Sequence, residues 1–262
     1  MRTLGTTACF VVLFLLMTIA AVTAPQTRSS IVVELFTSEG CSSCPPADAL
    51  LQKLAESDSD VIALGEHVDY WDRLGWKDRF SSAALTARQQ TYADRFNVVS
   101  IYTPQMVVDG REEFVGSDAA AARRALDRAR SAGHGTVRLA VDTRGPAIAV
   151  IASIADLPKI GRGDRADIVV AVTEDRLRSN VTGGENRGRM LPHAAVVRYM
   201  ATVGEAAAAG ESTAHAEIAV GRDWQRDALN VVAFVQERRG RAILAASATR
   251  PFVGSARVDR PR

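Results

Sequence analysis

Residues 31–48 read Ile31-Val32-Val33-Glu34-Leu35-Phe36-Thr37-Ser38-Glu39-Gly40-Cys41-Ser42-Ser43-Cys44-Pro45-Pro46-Ala47-Asp48. An apolar run, Ile31 to Phe36, leads into a CxxC, and a helix-like stretch from Ala47 to Ala55 follows. Strand, CxxC, helix is the context that makes this motif specific. Two thiols at this spacing close a small ring that can reopen, which suits electron exchange better than stapling. The chain has three cysteines, and the third, Cys9, lies in an apolar N-terminal stretch. Loss of that stretch leaves Cys41 and Cys44 alone.

The 262 residues suggest one or two domains, with 47% hydrophobic and 24% charged residues, as in soluble globular proteins. A net charge of +2 makes no case for nucleic-acid binding; Arg123-Arg124 and Arg238-Arg239 read as solvated faces. Arg2, the apolar run Ala8 to Val22 and the small residues Val22-Thr23-Ala24 read as a signal peptide over 1–24. The apolar run is short for a membrane span, so a secreted or periplasmic protein without a stable span is expected, with an uncleaved anchor as the alternative. Such a compartment is oxidising.

Residues 30–133 alternate strands with helices: strands at Ile31–Phe36, Val61–Val68 and Met106–Val108, helices at Ala47–Ala55, Ser81–Phe96 and Asp118–Arg130. Asp109-Gly110 reads as a hairpin turn, and Ser117 as a helix cap. From 135 to 254 the strands are short and separated by turns, which predicts an antiparallel β-sandwich. The boundary is expected near 133–135, and residues 255–262 read as a basic tail.

The order of acid-bearing strand, CxxC, helix and a distant Tyr102-Thr103-Pro104-Gln105 resembles thioredoxins. Leu35 to Asp48, His67-Val68-Asp69-Tyr70-Trp71-Asp72, Leu74-Gly75-Trp76-Lys77-Asp78, Gly184-Glu185-Asn186 and His193 to Arg198 resemble the motifs of an exported thioredoxin-like family, domain-of-unknown-function family 1223. The resemblance implies an α/β thioredoxin-like domain followed by the sandwich. It implies a cis bond before Pro104, with Thr103 and Pro104 docking substrate backbone. It also implies that Glu34 is a buried acid, its pKa raised by desolvation, that takes a proton from Cys44. Strand alternation equally allows Glu34 to face outward. Gly40 stands where thioredoxins carry tryptophan. Pro45 and Pro46 disfavour α conformation in the residues before them, so the helix is expected to begin near Pro45 or Pro46. Cys41 is then further from the helix dipole.

These features predict thiol–disulfide exchange on protein or peptide thiols, with an unidentified redox partner and no organic cofactor. Cys41, expected to be the more exposed thiol, attacks; Cys44 resolves. Tyr70 and Trp71 are expected on a peptide-binding rim, with self-packed loop aromatics as the alternative. Two other readings stay open: a binding protein with a structural disulfide, and a copper-handling protein using Cys41, Cys44 and His67. Residues 183–189 read as a long inter-strand loop, since they lack the ending of a phosphate loop.

Overall fold

A computed structural model describes residues 30–143 and 146–249. The expected signal segment with Cys9, and the basic tail, lie outside the described residues. β1 (Ile31–Thr37) is buried along its whole length. Its alternation divides the core in two. Ile31, Val33 and Leu35 meet Ala47 and Leu51 of α1 (Pro45–Ser57) and Ala122, Ala125, Leu126 and Ala129 of α3 (Ala119–Ser131). The small alanines of α3 recur at helical spacing and let it lie close to the sheet. Val32 and Phe36 face the other way, toward α2 (Ala83–Phe96). A strand covered on both faces reads as a continuous apolar run, as this one does.

β2 (Val61–His67) pairs parallel with β1, and β3 (Gln105–Val108) pairs antiparallel on its other side. β4 (Glu112–Val115) returns from β3 through the expected Asp109–Gly110 turn. α1 starts at Pro45, where a proline fits the first turn. Cys44 before it nevertheless adopts the α region (φ −77, ψ −37), because its carbonyl accepts from the Ala47 and Asp48 amides. α2 is capped by Ser82. The cap of α3 is Asp118 rather than Ser117: its carboxylate accepts from the Ala120 and Ala121 amides, and its charge suits a helix N-terminus.

The second half is all strand: β5 (Thr136–Asp142), β6 (Ala147–Ala155), β7 (Ala166–Glu174), β8 (Leu177–Asn180), β9 (Met190–His193), β10 (Val196–Ala206), β11 (Ser212–Ala219), β12 (Leu229–Glu237) and β13 (Ile243–Thr249). β5, β6 and β11 form a three-stranded sheet. It faces β7, β12 and β13 across a core that includes Ile148, Ile154, Ile168, Val172, Val231 and Val235. Two layers were expected here, as a domain of its own; the two layers are present, but the larger sheet continues into the first half. β10 joins β2 through the pair Val196–Gly65, so one sheet runs β13-β12-β7-β10-β2-β1-β3-β4 across residues 133–135. The result is a mixed α/β fold with a large sheet and three α-helices among the described residues. None of these helices is long and apolar enough to cross a membrane.

Two glycines mark the seams. Gly65 donates to the Ala195 carbonyl at 2.7 Å, and a Cβ on it would lie 3.0 Å from the Ala194 carbonyl oxygen. At the β3–β4 turn, Asp109 is fully buried. It accepts from the Val32 amide at 2.9 Å and lies 2.7 Å from His134 Nε2, and its own carbonyl accepts from Ile243 at 2.8 Å. Gly110 beside it has φ +61, and a Cβ there would sit 1.9 Å from the Arg241 carbonyl oxygen. Gly110→Ala is therefore expected to lose at least about 2 kcal/mol and to lower Tm by roughly 4–8 °C. Thermal unfolding by circular dichroism checks this; an unchanged Tm counts against the seam.

Candidate functional site

Cys41 and Cys44 are joined in a disulfide at the head of α1. A tight turn shapes the approach: Cys41 N donates to Ser38 O, and Cys44 N to Cys41 O. Ser42 and Ser43 are exposed, but Cys41 is only 1% and Cys44 0% exposed. The expectation of an open attacking thiol is corrected here. The loop between β8 and β9 lies against the CxxC turn. Asn186, fully buried, donates from Nδ2 to the carbonyls of Glu39 (2.9 Å) and Cys41 (2.8 Å). Glu185 Oε2 accepts from the Ser42 amide at 3.0 Å. Arg189 holds the Asn186 side-chain oxygen at 2.7 Å. The residues that complete the turn thus come from 140 or more positions downstream.

The Thr103–Pro104 bond is cis. Pro104 lies beside α1: a Cβ on Gly116 would meet Leu35, Ala47 and Pro104 together, at 2.7, 3.1 and 3.1 Å. Trp71 ties this loop to the CxxC turn. Its indole N–H donates to Thr103 Oγ1 at 2.8 Å, and its Cβ lies 3.1 Å from where a Gly40 Cβ would stand. A tryptophan from elsewhere in the chain therefore crowds the side-chain position that Gly40 leaves empty. Tyr70 and Trp71 are half-buried and pack against Phe36, Val68, Tyr92 and Val107. Burial raises the Tyr70 phenol above its ordinary pKa. These two side chains are packed parts of the loop rather than a free rim.

Beside the disulfide lies a buried polar cluster. Asp78 accepts from the amides of Glu39 (2.9 Å) and Phe80 (2.8 Å), and His67 Nδ1 lies 2.6 Å from it. Burial opposes charge on both partners, but their mutual attraction wins. His67 is held above its ordinary pKa by Asp78, with Asp48 and Glu39 adding to the effect, and Asp78 is held below its own. Glu39 receives the Trp76 indole N–H at 2.7 Å, and His193 Nε2 lies 3.2 Å from its other oxygen, too poorly aligned for a hydrogen bond. Despite burial, His193 and Trp76 keep Glu39 below the usual carboxylate range. Asp48, half-buried on the first turn of α1, accepts from Thr37 Oγ1 at 2.8 Å, and the partial burial of its carboxyl raises its pKa. His67 is thus committed to Asp78, and no three His, Cys, Asp or Glu side chains among the described residues converge as metal ligands.

Glu34 departs from its expected role. It alternates with Val33 and Leu35, which face α1, so its side chain lies on the α2 side of the sheet. There Arg88 Nε donates to it at 2.6 Å, and Tyr92 O–H donates to its second oxygen. Burial would raise its pKa, but Arg88, with hydrogen bonds from Glu66 and Tyr92, brings it below the ordinary value. Burial and the Glu34 charge push Glu66 well up instead. A protonated Glu66 would carry one O–H to donate to Glu34, which accounts for one of the two Glu66 oxygens that otherwise have no hydrogen-bond partner. This network also recruits Gln236 of β12, which donates to Tyr92 at 2.7 Å. It holds the two halves of the sheet together and stands apart from the sulfurs.

The inter-strand loop read at 183–189 thus lies on the CxxC face, while Glu39, Asp48 and Asp78, present in the quoted motifs, carried no expected role. A signal for Asp48 was available, since it stands four residues after Cys44 at the head of a helix.

In overall structure the chain is similar to protein AGR_C_4864 from Agrobacterium tumefaciens. The TM-score is 0.64 at 28% identity, covering 90% of this chain and 100% of that one. HBP35 of Porphyromonas gingivalis is similar with a TM-score of 0.62 at 16% identity, covering 89% of this chain and 80% of that one. At that identity the likeness is one of fold alone. No curated protein matches the sequence. The motifs spread from the CxxC strand to β10 all fall within one family match, over residues 32–236, and the chain belongs to the family described as "Protein of unknown function (DUF1223)".

Proposed function

We propose that this is an exported, thioredoxin-like protein that carries out thiol–disulfide exchange through Cys41 and Cys44 on protein or peptide thiols. One observation carries the reading: the disulfide heads α1 beside the cis Thr103–Pro104 loop, with Trp71 bridging the two. The order β2-β1-β3-β4, with α1 and α3 on one face and α2 on the other, supports the thioredoxin-like assignment. The N-terminal sequence supports export to the periplasm or the exterior, where a partner thiol or disulfide resets the pair. In this reading Thr103 and Pro104 meet the substrate backbone, and the strands beyond 135 serve packing and recognition.

Burial of both cysteines favours a second reading, a binding protein with a permanent disulfide. The reduction potential separates them. Equilibration in thiol–disulfide buffers, followed by alkylation and mass analysis of the Cys41–Cys44 peptide, is expected to give about −120 to −270 mV. A value below about −300 mV would establish the structural reading instead.

A further inference from the structure

We propose that Asp48 is the group that accepts the proton of Cys44 when Cys44 resolves a mixed disulfide. This rests on the exchange reading and replaces the role first expected of Glu34. Glu34 lies on the far face of the sheet and is saturated by Arg88 and Tyr92. Asp48 is on the near face. Its amide donates to the Cys44 carbonyl at 3.0 Å, the bond that sets residues four apart one above the other on a helix. Thr37 Oγ1 holds Oδ1 at 2.8 Å, which fixes the carboxyl against β1 and assigns Oδ2 as the acceptor.

The groups that face Asp48 from the surrounding elements are Thr37 of β1, His67 of β2, His193 of β9 and Asp78 of the loop before α2. Both histidines favour the carboxylate, and burial and Asp78 oppose it. A carboxyl whose pKa is lifted toward that of a thiol is a better match for proton exchange with it. No other acid stands one helical turn from Cys44.

The Cys41 thiolate attacks a substrate disulfide, forming a Cys41–substrate bond and releasing one thiolate. The Cys44 S–H then gives its proton to Asp48 Oδ2. The Cys44 sulfur attacks Cys41 Sγ, the Cys41–substrate bond breaks, and the second thiolate leaves. The cysteine pair loses two electrons and the substrate disulfide gains them. Asp48 returns its proton to the leaving thiolate or to water.

The test uses the reduced full chain in a Cys9→Ser background and the aromatic disulfide dithiobis-nitrobenzoate, whose two thiolates are coloured as they leave. The first release reports attack and the second reports resolution. Asp48→Asn is expected to keep the first phase within about twofold and to slow the second by on the order of 100-fold near neutral pH. Asp48→Glu is expected to recover part of that loss. A merely structural role would slow both phases together and would not be rescued. The unsubstituted chain supplies a check that needs no folded variant: its second phase is expected to fall where a carboxyl titrates. A second-phase rate simply proportional to hydroxide from about pH 5 to about pH 8 would overturn the assignment. So would an unslowed second phase in Asp48→Asn alongside a normal first phase. A reduced chain that releases neither thiolate would bring down the exchange reading itself, and this proposal with it.

Discussion

Replacement of Arg88 by methionine is expected to cost about 3–5 kcal/mol, enough to lower Tm by roughly 6–20 °C. Arg88 is the cation between two fully buried carboxyl groups. It hydrogen-bonds Glu34 at 2.6 Å and lies 3.5 Å from Glu66. It also donates to the side-chain oxygen of Gln236 at 3.0 Å, so its loss reaches across to β12. Methionine keeps most of the volume but leaves Glu34 buried without a counter-charge. The pH dependence carries the diagnosis. In the native chain the Glu34 pKa is lowered, so its contribution is present above its unfolded value and is lost as pH falls through the folded one. Without Arg88 burial dominates and the Glu34 pKa rises above its unfolded value. The sign then reverses: stability is highest in acid and is lost as pH rises through the new value. Denaturant unfolding of both proteins near pH 5 and near pH 8 reads this directly. The gap between them is expected to widen at the higher pH. A gap below about 1 kcal/mol, or one independent of pH, would contradict the ion-pair account.

The second large effect is on chemistry. Cys41→Ser is expected to reduce exchange by on the order of a thousandfold or more, and Cys44→Ser to accumulate a mixed disulfide on Cys41. The two sulfurs are alike in burial but not in setting. Cys44 is held by α1, its carbonyl already accepting from two helical amides. Cys41 sits in the preceding turn, next to exposed Ser42, and is overlain by a loop held to it through the side chains of Glu185 and Asn186. Displacement of that loop is expected to bare Cys41 first. Incubation of each variant with a peptide disulfide, followed by mass analysis of adducts, decides the matter. Adducts on Cys44 in Cys41→Ser, equal in yield to those on Cys41 in Cys44→Ser, would remove the assignment of roles.

The strands and helices of the first half were legible because each repeats a pattern along itself. The run Ile31 to Phe36 announces a strand buried on two faces, and Pro45 fits the start of α1. What joins the halves was not legible, because it consists of absences. Gly65 and Gly110 matter for the side chains they lack, and sequence does not say whose backbone comes close. β8 and β9 escaped notice because four-residue strands mixing Arg, Ser, Asn, Pro and His carry little apolar alternation. Glu34 was rightly noticed as an acid in an apolar strand, but alternation gives a strand two faces without saying which helix covers each. Arg88 and Tyr92, one turn apart on α2, decide it. The CxxC was legible as a pair, and its cover was not, since Asn186 reaches Cys41 from 145 residues away.

That reach sets an order of events. The two cysteines are separated by three positions, so they can find each other as soon as their own turn has emerged. The side chains that shut them in belong to a hairpin synthesised far later, directly before β10, the strand that pairs with β2. A chain folding from its N-terminus therefore meets its first oxidant or reductant with the sulfurs open, and closes over whichever state it has acquired.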